Sequence, residues 1–104
     1  MIDVTKKVEE DIKSNKIIIF MKGTKDAPQC GFSAAVVDIF KLLGAPFETR
    51  DVLQDSELRE AVKQYTKWPT IPQVFINGKF IGGCDITREM FQNGELQNLV
   101  KVEP

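Results

Sequence analysis

The amino-acid sequence predicts a small α/β domain built on a mixed four-stranded sheet with helices on both faces, and three observations lead to it. The run Ile17–Met21 is β-branched and aromatic without polar alternation, as a central strand covered on both sides should be. Apolar residues at helical spacing precede and follow it, so helices and strands alternate along the first two thirds of the chain. An Asn77-Gly78 pair between two further apolar stretches marks a tight hairpin. With 104 residues and 42% hydrophobic content, the chain can bury one core but is too short for two ordinary domains, so residues 1–104 are expected to form a single domain.

Each element follows from local pattern. Val4, Val8 and Ile12 recur every four residues among charges, predicting a short amphipathic helix that ends near Ser14-Asn15. The central strand comes next. Residues 22–29 are polar or turn-forming and read as a loop leading to Cys30. From there Phe32, Val36, Ile39, Phe40 and Leu43 share one helical face, with Gly44 and Pro46 as the stop. Residues 47–53 read as a second strand, and Leu58, Ala61, Val62 and Tyr65 as a helix beginning near Asp55 or Ser56. Gln73–Ile76 and residues 80–81 form the hairpin strands, broken by Gly82-Gly83. After Asp85, Ile86, Met90 and Phe91 suit a helix stopping near Gly94, and Leu96, Leu99 and Val100 suit a last turn or two. A right-handed β-α-β unit followed by a hairpin, with helices on both sides, is the thioredoxin arrangement.

Composition excludes several function classes. Fourteen basic residues nearly cancel fifteen acidic ones, so no broad positive field favours nucleic acid. No apolar run approaches the ~20 residues that span a bilayer. The acidic N-terminal segment lacks an apolar h-region and resembles neither a secretory signal nor a transit peptide, so a cytoplasmic setting, or an organelle matrix after presequence removal, is expected. There is no histidine, which removes a histidine base and any imidazole-ligated zinc site. Two cysteines, Cys30 and Cys84, cannot close a four-cysteine metal site within one chain.

Cys30 stands where a polar loop meets a helix start, a place where unpaired N–H groups and the helix dipole favour an anion. A free cysteine titrates near ~8.5, and such surroundings with a nearby cation bring it to ~7.5 or lower. Lys22, just after the central strand, is a candidate cation. A free cysteine is also often a small buried hydrophobe, but the polar context favours a reactive or ligating thiol. Three residues on, where a dithiol oxidoreductase carries its resolving cysteine, stands Ser33, so resolution needs an external thiol or the distant Cys84.

Lys22, the tetrapeptide Cys30-Gly31-Phe32-Ser33, Trp68-Pro69-Thr70-Ile71-Pro72 and Gly82-Gly83-Cys84-Asp85 together resemble, in order and spacing, the motif set of CGFS-type monothiol glutaredoxins. The similarity runs over essentially the whole chain and points to the short bacterial and organellar members. It implies a thioredoxin fold with Pro72 in cis, and a glutathione site to which Phe32 also belongs. The backbone of Ile71 would meet the cysteinyl unit, Lys22 and Arg59 the glycine carboxylate, and Cys84-Asp85 the γ-glutamyl end. Cations at one end and helix-start N–H groups at the other suit a small ligand with two carboxylates.

Other readings of the same residues stay open. Arg59 also reads as a solvated helix charge, Asp85 as an N-cap, Cys84 as a packing residue or redox partner, and Trp68 and Phe32 as core or rim packing. The resemblance further implies a [2Fe-2S] cluster bridged between two protomers, with Cys30 as metal ligand and glutathione supplying the missing thiolates. A cluster-bound homodimer, apo iron-sulfur acceptors and a BolA-like partner follow from it. The competing activity is glutathione-dependent thiol-disulfide exchange with Cys30 as catalytic nucleophile.

Overall fold

The computed structural model describes residues 3–101. Helix α1 (Val4–Ser14) starts at Asp3, whose carboxylate accepts the Thr5 N–H at 3.0 Å, and turns Val8 and Ile12 inward. Strand β1 (Ile17–Met21) is buried at every position. A two-residue hairpin, β2 (Gly23–Thr24) and β3 (Ala27–Pro28), lies within the segment expected to be plain loop. Helix α2 (Gly31–Leu43) follows and ends on left-handed Gly44. Strand β4 (Glu48–Asp51) is shorter than residues 47–53, and helix α3 (Ser56–Thr66) is capped by the Asp55 carboxylate on the Leu58 N–H at 3.0 Å. Strands β5 (Gln73–Ile76) and β6 (Lys79–Gly82) are joined by Asn77 and Gly78, both at positive φ, as the tight hairpin turn demands. Helices α4 (Cys84–Asn93) and α5 (Glu95–Leu99) complete the described chain.

The sheet runs β4-β1-β5-β6, with β1 and β4 parallel and the other pairs antiparallel. Side-chain alternation along β1 divides the core in two. Ile18 and Phe20 pack with Val8, Ile12, Leu58 and Val62 of α1 and α3, whereas Ile17, Ile19 and Met21 pack with Val36, Val37 and Phe40 of α2. That double coverage is why β1 carries no polar residue. The mixed sheet with helices on both faces is the thioredoxin fold.

Register also decides where a site can form. The end of β1 lies beside the end of β4 (Met21 opposite Asp51) and the start of β5 (Phe20 opposite Gln73). Because β6 returns antiparallel to β5, Gly82 comes back opposite Val74 and delivers the start of α4 to the same end of the sheet. The N-termini of α2 and α4 therefore meet the approach to β5 at one edge.

Candidate functional site

A cleft of about 550 Å³ opens at that edge, and all eight residues expected at the site line it: Lys22, Cys30, Phe32, Arg59, Ile71, Pro72, Cys84 and Asp85. Cys30 occupies the N-cap position of α2 in extended conformation and is half-buried. Its thiol closes no capping hydrogen bond. The backbone N–H of Ser33 nevertheless draws its pKa below the ordinary cysteine value; partial burial opposes this, and the Phe32 N–H, the Lys22 charge and the Ser33 hydroxyl reinforce it. Ser33 itself is fully buried, and its hydroxyl accepts the Lys22 N–H at 3.2 Å, stitching the end of β1 to the first turn of α2. A serine three residues after the thiol thus serves the site without any redox capacity.

Cys84 is different. It is buried, and burial pushes its pKa up; the Arg88 charge opposes this, while Asp85 and Cys30 add to it. The Arg88 guanidinium donates to its sulfur at 3.5 Å. Both cysteines are free thiols.

α3 carries Arg59 and, one turn later, Lys63, so with Lys22 three cations line the cleft against a single carboxylate, Asp85, among the described residues. Lys63 was not singled out from the sequence, although its i+4 spacing from Arg59 on one helix was a usable sign. Arg59 does not behave as a freely solvated charge at its Nε, which is buried without a hydrogen-bond partner among the described residues and lies 4.0 Å from Glu60. Residues 68–72, which follow α3, also line the cleft. Their Ile71–Pro72 bond is cis, as expected, and no hydrogen bond engages the Ile71 backbone among the described residues. Trp68 stands edge-on to Phe80 at 5.8 Å, with its indole N–H buried and without a hydrogen-bond partner among the described residues.

Two of the sequence readings are corrected. Phe32 does not belong to the buried face of α2; it is 61% exposed and lines the cleft, while its neighbour Ser33 takes the buried position in the first turn. Asp85 is not an N-cap: α4 already begins at Cys84 after Gly83, leaving Asp85 in the first turn among unpaired helix N–H groups. Gly83 permits this close meeting of walls, since a Cβ there would approach the Pro72 carbonyl oxygen to 3.2 Å and the Trp68 indole nitrogen to 3.7 Å.

The glutaredoxin family model matches residues 17–81, a stretch that includes β1, Cys30, α3 and the hairpin strands up to Ile81. An uncharacterized monothiol glutaredoxin ycf64-like protein of Synechocystis is 55% identical over 96 residues, covering 92% of this chain and 90% of that protein. The solution structure of reduced poplar apo GrxS14 superposes with a TM-score of 0.81 at 50% identity, covering 91% of this chain and 87% of the other. A buckwheat glutaredoxin crystallised as a glutathione complex superposes with a TM-score of 0.83 at 33% identity, covering 93% and 86%. On the family match, and on this identity over nearly the whole length, the chain belongs to the glutaredoxin family, among its monothiol members.

Proposed function

We propose that this chain is a single-domain, CGFS-type monothiol glutaredoxin that binds glutathione in the cleft and, as half of a cluster-bridged dimer, carries a [2Fe-2S] cluster to apo iron-sulfur proteins. The observation that carries the reading is the Cys30 thiol, biased toward its thiolate in a cleft lined by Lys22, Arg59 and Lys63 and by the start of α4. Glutathione fits that chemistry. Its glycine carboxylate suits Lys22 and Arg59, its extended cysteinyl unit suits the unengaged Ile71 backbone, and its γ-glutamyl end suits Cys84 and Asp85 at the start of α4. Phe32, exposed beside the thiol, would shield the ligand from water. A related glutaredoxin has been crystallised with glutathione, which supports the assignment.

The donor set explains why the tripeptide and a second protomer are both needed. Among the described residues no cluster of three metal-ligating side chains exists. Cys84 is ill suited as a second ligand, being buried and biased toward its neutral form. One Cys30 from each protomer and one thiol from each of two glutathiones make up the four thiolates that a [2Fe-2S] cluster ordinarily takes. A cargo held half by exogenous ligands passes on more readily than one enclosed by four protein cysteines. A BolA-like protein is a candidate alternative partner, and a reducing cytosol or organelle matrix is the expected setting.

The same thiol supports a second reading. The Cys30 thiolate attacks the glutathione sulfur of a protein–glutathione disulfide, forming Cys30–SG and releasing the protein thiolate; a second glutathione thiolate then regenerates Cys30 and leaves as glutathione disulfide. Anaerobic cluster reconstitution with and without glutathione, on wild type and Cys30→Ser, separates the two. A coloured dimer by visible absorption and native mass, dependent on glutathione and lost in Cys30→Ser, is expected. A colourless monomer that rapidly reduces a glutathionylated substrate would establish exchange as the function instead.

A further inference from the structure

Gln73 opens β5 yet is wholly buried, an unusual place for a carboxamide. Its Nε2 donates to Trp68 O at 3.0 Å and to Thr70 O at 3.1 Å, and its Oε1 accepts from the Thr66 hydroxyl at 2.9 Å, the shortest of that hydroxyl's acceptor contacts, with the Val62 carbonyl at 3.1 Å. Thr66 Oγ1 in turn accepts the Trp68 N–H at 3.1 Å. Carbonyls only accept, so the two of them fix which way the carboxamide points. Lys67 turns the chain out of α3 in the left-handed region, and Pro69 has no N–H to donate. Residues 67–71 belong to no helix or sheet ladder, and the hydrogen bonds that shape them end on these two side chains.

That segment presents Trp68, Pro69, Thr70 and Ile71 to the cleft, whereas Gln73 and Thr66 do not line it. We propose that Gln73 and Thr66 are positioning residues that hold the 67–71 wall in its ligand-ready shape and thereby set the affinity of the cleft for an extended thiol peptide. The inference rests on the glutathione reading, and it assigns the cost of ordering that wall to folding rather than to binding. A wall left loose must be ordered by the ligand, and affinity falls accordingly. A buried amide that merely satisfied the fold would lower stability and leave the affinity of the folded protein unchanged.

The test titrates reduced glutathione into the full chain by calorimetry for wild type, Gln73→Met, Thr66→Val and Thr66→Ser, with thermal unfolding and the Cys30 thiolate titration, read by ultraviolet absorbance, recorded alongside. Gln73→Met and Thr66→Val are expected to bind about tenfold more weakly. Thr66→Ser, which keeps the hydroxyl, is expected to bind like wild type. The Cys30 titration should not move in any variant, because the groups that favour its thiolate lie on α2 and at Lys22. Folded variants that bind like wild type overturn the proposal, as does a Cys30 titration that shifts in step with affinity, which would mark general collapse of the site. Should Gln73→Met fail to fold, the Thr66→Val and Thr66→Ser pair decides. A wild type that binds no glutathione overturns the glutathione reading and this inference with it, and is told apart from the case in which wild type binds and the variants bind equally.

Discussion

Cys30 and Cys84 share a cleft but stand in opposite environments, and the difference predicts their chemistry. Helix N–H groups and Lys22 lower the pKa of Cys30, so its thiolate forms as pH rises before that of an ordinary cysteine. Burial raises that of Cys84, so its thiolate forms only after the ordinary range has been passed. At neutral pH a limiting amount of iodoacetamide should label Cys30 almost alone, as read by peptide mass mapping. The Cys30 rate should level off at a lower pH than that of a free thiol, and comparable labelling of both cysteines at neutral pH would contradict the environments described. The exposed Phe32 beside the thiol shows how residue-scale reading can err. Its helical spacing matched Val36 and Phe40, but spacing does not say whether a position on that stripe faces the core or the cleft.

At the scale of elements, most boundaries were legible because their punctuation is chemical. Asp55 caps α3 through a hydrogen bond to the Leu58 N–H, and Gly44 ends α2 in the left-handed conformation that glycine adopts without cost, whereas the Asp3 cap of α1 was not singled out from the sequence. Asp55 matters most to the site, since the helix that it starts presents Arg59 and Lys63. Replacing it, Asp55→Ala, should cost about 1 kcal/mol in urea unfolding, with most of the loss recovered in Asp55→Asn. Equal stability of Asp55→Ala and wild type would show that the cap contributes nothing. The β2–β3 hairpin escaped the sequence reading because two-residue strands have no periodicity to detect. The start of α4 was misplaced by two residues because Asp85 is a good capping type, while the position that caps is filled by Gly83.

Across the whole molecule the two helical layers depend on one sheet, and an aromatic series links its core to the cleft. Phe75, almost fully buried, lies 5.7 Å from Phe20 and 5.3 Å from Phe80, and Phe80 lies 5.8 Å from Trp68, which lines the cleft. Phe75→Ala should cost about 3–5 kcal/mol, a large share of the ~5–15 kcal/mol that a domain of this size possesses. Urea unfolding measures it, and a loss under about 1 kcal/mol would mean that the core relaxes to fill the space. The layered α/β architecture, the fully covered central strand, the Asn77-Gly78 hairpin and a thiol at a helix start were legible without the fold, because each is written in local periodicity or turn chemistry. The resemblance in motifs had already gathered Lys22, Arg59, Ile71 and Asp85 around Cys30; the fold added that Lys63 joins them in the cleft and that a polar Gln73 is buried outside its lining. Those facts depend on strand order and register, which join residues far apart in the chain, and no local pattern encodes them.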